Sequence, residues 1–151
     1  MRKIIKLTII FYFLINAINI LKSDENFFDK GLQLYNAKKY DDAQFMFERS
    51  IVFNPKDSNS YLYLAKIFNF KDDQKKEEKN LEATLLIEPN NEEAILMSMK
   101  IALEKSNYSK VKKLSKIFIQ VCKKLCKENE EILKTLANIE PKNNESWEKL
   151  K

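Results

Sequence analysis

The chain of 151 residues contains one glycine, three prolines, two cysteines and no histidine. Each shortage excludes something. All-β sandwiches and barrels turn on glycine and proline every few residues, and this chain has too few of either. The phosphate-cradling loops of dinucleotide-binding and P-loop folds need several glycines where backbone approaches phosphate. One glycine cannot supply them. Without histidine the commonest general base and the commonest zinc ligand are missing. Two cysteines alone cannot close a four-ligand zinc site. No catalytic, metal or cofactor site is expected, and the chain reads as a non-enzyme.

What is present begins with charge. There are 27 basic and 22 acidic residues, a formal balance of +5. Taken whole, such an excess hints at nucleic acid or an anionic surface. Its distribution says otherwise. Arg2, Lys3, Lys6 and Lys22 all lie in the first 23 residues, where no acidic residue occurs. Without them, 23 basic residues face 22 acidic ones, leaving +1. That balance suits a mixed-charge surface and excludes a polyanion binder.

The same segment carries an apolar stretch from Leu7 to Leu21, interrupted by Thr8, Asn16 and Asn19. A basic start followed by a short apolar stretch is the layout of a secretory signal peptide. Spanning helices usually need about 20 apolar residues, so this stretch is short. We therefore expect residues 1–23 to be a signal peptide, cleaved between Ala17 and Ser23, and the protein to be periplasmic or secreted. An uncleaved membrane anchor and a buried core helix are the alternatives. Only an uncleaved segment would bring the membrane in as a partner, and the chain would then be a membrane-tethered structural subunit of an envelope assembly.

The rest reads as helices, with apolar residues at three- and four-residue spacing, as in Leu32, Tyr35, Tyr40, Ala43, Phe47 and Ile51. It also repeats. Asn54-Pro55 and Glu88-Pro89 end two helical stretches 34 residues apart. In step with these prolines fall Phe27, Tyr61 and Ile95, then Gly31, Ala65 and Met99. Phe47 aligns with Leu81, Ser50 with Thr84, and Tyr40 with Tyr108 two periods on. Antiparallel helices approach closely only over small residues, a role open to Gly31, Ala65, Ala43 and Ala83. Pro55 and Pro89 cannot continue a helix, and Asp57 or Ser58, then Asn90 or Asn91, can cap the next one.

This pattern resembles the tetratricopeptide repeat (TPR) family, whose signature runs aromatic, Leu-Gly or Leu-Ala, aromatic, Ala-x-x-x-Phe, Pro. The first repeat, 24–57, has Phe27, Gly31, Tyr40, Ala43, Phe47 and Pro55. The second, 58–91, has Tyr61, Leu64-Ala65, Phe68 and Pro89, but Glu77 where Ala43 stood. A degenerate hairpin spans 92–125, with Met99, Val111 and Ser115 at the small and aromatic positions. Residues 126–151 add an extra C-terminal helix and a truncated repeat start at Pro141, Trp147 and Leu150. The resemblance implies an all-α fold, a short solenoid of antiparallel hairpins. It also implies a protein-binding adaptor whose first helices line a groove for a peptide or partner helix. Carried onto this chain, the groove residues are Leu32, Tyr35, Asn36, Lys66, Asn69, Phe70, Lys100, Leu103 and Glu104. Alternatively, Tyr35 and Phe70 pack within or between hairpins. The Lys-and-Asn carboxylate clamp of some members is not reproduced, since Leu32 replaces its first amide.

Two features remain. Cys122 and Cys126 are four apart, too poorly placed in a regular helix to bridge. A disulfide requires the helix to end between them; free buried thiols and a redox or metal site are the other readings. Asp41, Asp42, Asp72, Asp73, Glu77 and Glu78 read as solvated turn charge. Lys112, Lys113, Lys116, Lys123, Lys124 and Lys127 form a more one-signed cluster, either an ordinary soluble face or one meeting an acidic partner or anionic lipid.

Overall fold

The computed structural model describes residues 26–139, so the expected signal segment and the repeat start at Pro141, Trp147 and Leu150 lie outside the described residues. Within them are seven α-helices and no strand: α1 (Phe27–Asn36), α2 (Tyr40–Phe53), α3 (Ser58–Phe70), α4 (Gln74–Ile87), α5 (Glu92–Glu104), α6 (Tyr108–Val121) and α7 (Cys126–Ile139). They form three successive antiparallel hairpins, with α7 packed against α5 and α6.

Short polar residues start most of these helices. Asn26, Asp57, Asp73, Asn91 and Asn107 each accept the backbone N–H three residues on, satisfying a donor the helix leaves orphaned. Of the pairs expected at the second and third repeats, Asp57 and Asn91 take the cap. Lys39, at the start of α2, makes no such bond. Every hairpin turns the same way, through one residue of positive φ: Lys38 at 59°, Asp72 at 55° and Ser106 at 54°. None is glycine, so each side chain carries a left-handed cost of about 1 kcal/mol. Two backbone bonds close each turn, as in Lys38 N to Tyr35 O and Lys39 N to Leu34 O.

The glycine serves packing instead. A Cβ on Gly31 would lie 2.7 Å from Phe47 Cε1. Phe47 is wholly buried, and its ring stacks on Tyr63 of the next hairpin at 5.2 Å. Ala43 and Ala65 are fully buried too, as close approach requires, whereas Ala83 is only half-buried. The buried residue one period after Ala43 is Glu77, at 4% exposure. This corrects the reading of Glu77 as solvated charge. It accepts a hydrogen bond from Asn69 Nδ2 at 3.2 Å. Burial pushes its carboxyl above the ordinary glutamate value, the Asn69 bond opposes that, and nearby Glu104 and Glu78 add to the rise.

Helix α6 ends at Val121 and Cys122 is extended, at φ −64° and ψ 136°. The turn so formed carries the Cys122–Cys126 disulfide, Cα atoms 5.4 Å apart. The carboxylate of Glu92, at the start of α5, accepts the backbone N–H groups of Lys123, Lys124 and Leu125, and these bonds hold its carboxyl below the usual range. The helix does end between the two cysteines, as the bridge requires, and the clasp by Glu92 holds that break. Helix α7 begins 34 residues after Glu92, in phase with the repeat. It therefore stands where a fourth unit's first helix would stand.

Gly31→Ala is expected to destabilise the protein by about 1–2 kcal/mol in chemical denaturation. Overpacking against Phe47 outweighs a helix-propensity gain of about 1 kcal/mol. The loss should shrink in a Phe47→Leu background. Glu77→Gln should exceed the parent in stability at neutral pH. The parent's folded state prefers the protonated carboxyl, so that contribution is full below the ordinary glutamate value and lost as pH rises through the raised one. The two melting curves should converge in acid.

Candidate protein-binding face

All nine residues expected to face a groove lie on the first helices, α1, α3 and α5. Ring and ion contacts join these helices in order. Tyr63 of α3 reaches Phe28 and Tyr35 of α1 at centroid distances of 5.9 and 5.0 Å. Lys66 of α3 pairs with Glu93 of α5 at 2.8 Å, and its ammonium also sits 4.5 Å from the Tyr63 ring centre. Such a cation over a ring face adds electrostatic attraction to the packing.

Within this frame the nine residues separate into groups. Leu32 and Tyr35 are half-buried, and Asn36 is exposed at the end of α1. Tyr35 packs edge-on to Tyr40 at 5.5 Å, and Tyr40 meets Phe70 at 4.4 Å. Tyr35 is thus a packing residue between hairpins. Burial, then Tyr40, Tyr63 and Glu93, raise its hydroxyl above the ordinary tyrosine value. It stays neutral, able to donate and accept. Phe70 differs: it is the last residue of α3 and 65% exposed. Lys100 is exposed as well.

The remaining candidates are turned to internal tasks. Asn69 spends its amide N–H on Glu77. Glu104 accepts from Gln74 Nε2 at 2.9 Å, so both bond to α4. Leu103 packs into the C-terminal core cluster of Met99, Phe118 and Ile132. Ring and cation contacts therefore link Tyr35, Lys66 and Phe70 through Tyr40 and Tyr63, Leu32 and Asn36 share α1 with Tyr35, and Asn69, Leu103 and Glu104 are tied elsewhere. Sequence reasoning missed Tyr63, Phe28 and Glu93. Tyr63 carries no repeat signal, because Asp29 and Met97 occupy its position in the neighbouring units.

Among the described residues no cluster of side chains could hold a metal ion, and no helix is long and apolar enough to cross a membrane.

No family model matches the sequence, and no curated protein matches it. Solved structures do match. The Yersinia enterocolitica type III secretion chaperone SycD, in complex with a peptide of the translocator YopD, superposes with a TM-score of 0.69. The match is at 14% identity and covers 78% of this chain and 96% of that one. The first TPR of Spaghetti (RPAP3), bound to an HSP90 peptide, gives 0.63 at 14% identity, over 74% and 93%. The Sgt2 TPR domain from Aspergillus fumigatus gives 0.63 at 13%, over 78% and 82%. At these identities the likeness is one of fold. It agrees with the hairpin order, the repeated turns and the small-residue contacts described above: the chain has the tetratricopeptide-repeat fold, all-α, built as three helical hairpins and a further helix.

Proposed function

We propose that the protein is an exported, non-catalytic adaptor that holds a segment of another protein against the face formed by α1, α3 and α5. The observation that carries this is Phe70. An aromatic ring 65% exposed at a helix end, tilted against half-buried Tyr40 at 4.4 Å, is a preformed contact for an apolar partner side chain. Asn36 on α1 and Lys100 on α5 are exposed on the same series of first helices and offer a main-chain partner and a charge. That SycD and the first TPR of Spaghetti are seen with peptides supports the reading.

Export rests on the sequence of residues 1–23. The disulfide in the α6–α7 turn supports it, since disulfides persist in oxidising compartments.

Pull-down from the envelope fraction followed by mass spectrometry tests the adaptor reading. A specific protein should be retained, and Phe70→Ala should lower its retention about tenfold while leaving the melting temperature unchanged. Cytosolic protein without a specific partner would overturn the proposal. The mass of the mature protein tests processing: loss of about 17–23 residues is expected for a cleaved signal, and an intact mass points to the tethered form.

A further inference from the structure

The repeat supplies an internal control for every site in the array, and one cleft differs sharply from its counterpart a period earlier. It lies between α4 and α6 beside the start of α5 and has a volume of about 570 Å³. Leu85, Pro89 and Ile95 line it from one side, and Leu114 and Ile117 of α6 from the other. Lys110 and Lys113 supply the charge at its margin.

One period earlier Tyr61 stands in place of Ile95, Asn80 in place of Leu114, Ala83 in place of Ile117, and Asp73 in place of Asn107. The exchanges alter the cleft's room, its polarity and its charge. A shorter side chain at position 95 leaves room where the second repeat carries a ring. Leucine and isoleucine make the α6 wall apolar where the second repeat has an amide and a methyl. The last exchange concerns charge. Asp73 caps α4 and also pairs with the Lys76 ammonium at 2.9 Å. Asn107 keeps the cap, accepting from Lys110 N at 3.1 Å, but brings no negative charge. Neither Lys110 nor Lys113 has an ion-pair partner among the described residues.

We infer that this cleft binds an amphiphilic anion with a single apolar chain, of the long-chain carboxylate class. The chain lies against Ile95, Leu114 and Ile117, and the carboxylate meets Lys110 and Lys113. The volume falls within the roughly 300–1,000 Å³ of small-molecule sites. From Asn107 to Ile117 the α6 edge runs about 15 Å, long enough for an extended acyl chain. An extended peptide fits less well. Its backbone N–H and C=O groups need partners along its whole length, and the polar lining residues, Asn107, Ser109, Lys110 and Lys113, all lie at the N-terminal part of α6, leaving none beside Leu85, Leu114 and Ile117. A hydrocarbon chain needs none. This inference stands apart from the adaptor reading, since both lysines and the Leu114–Ile117 wall lie on α6, the second helix of its hairpin.

Titration calorimetry of the full chain with dodecanoate, below its micelle concentration, tests it. One saturable site is expected, with hexanoate at least tenfold weaker because fewer methylenes are buried, and no saturable binding of dodecyltrimethylammonium. Two variants transplant the second repeat's residues. Asn107→Asp retains the cap and should weaken dodecanoate about tenfold by neutralising Lys110. Leu114→Asn with Ile117→Ala should do the same by removing the apolar wall. Circular dichroism melts establish that both fold. Absence of saturable binding overturns the inference, as does equal binding of the cation. Binding that survives both variants places the ligand elsewhere, such as on residues 7–21, and overturns it as well. So does a dimer abolished by the Leu114/Ile117 variant while dodecanoate stays silent, which assigns the cleft to a second copy.

Discussion

The ring of Phe47 is the contact on which the N-terminal half of the array depends. It lies against the bare backbone at Gly31 on one side and stacks on Tyr63 on the other. The first contact fixes how closely α1 and α2 approach. The second fixes how the next hairpin sits on them. Because Phe47 is wholly buried, neither spacing can change without opening a void or forcing a clash, and cores tolerate both poorly. Tyr63 then orients Phe28 and Tyr35, and through Tyr40 the aromatic row continues to Phe70. The exposed ring proposed to meet a partner is thus the outer end of a packed series.

What was legible in the sequence was whatever the repeat forces to recur. A close helix crossing demands a small residue at a fixed offset, and a turn into the next hairpin favours proline. Gly31, Ala65, Ala43, Pro55 and Pro89 therefore announced the hairpins. Contacts that draw on two elements without a fixed residue type left no such trace. Glu77 looked like turn charge because only the placement of Asn69 on α3 makes its burial tolerable. Helix α7 was visible as a helix but not as a unit in phase, because Asn129 and Leu133 stand at its aromatic and small positions. The face was partly legible: its helices followed from the repeat, whereas the diversion of Asn69 and Glu104 to α4 depends on which side chains lie opposite.

The hairpins share a backbone plan but diverge in what they expose. In the first, Arg49 lies 4.2 Å from the Phe27 ring centre, and Phe53 stacks on that ring at 5.1 Å, so aromatic and cationic groups close its outer side. In the second, Lys76 covers Phe68 at 5.1 Å and pairs with Asp73. The third is built differently. Its interior is aliphatic, with Ile95, Met99 and Val111, and its lysines lack the acidic cap residue of the second. Divergence between copies of one unit therefore gives the two surfaces of the array different chemistry without altering the turns that shape it.

The clasp of Glu92 on the α6–α7 turn has a consequence in time as well as in space. Its three amide partners lie 31 to 33 residues further along the chain. A chain emerging from its N-terminus, from a ribosome or through a membrane pore, completes two hairpins while this carboxylate still faces solvent. Only when residues 123–125 follow can it find its donors. The third hairpin is therefore secured last, at the moment the two cysteines come within reach of one another.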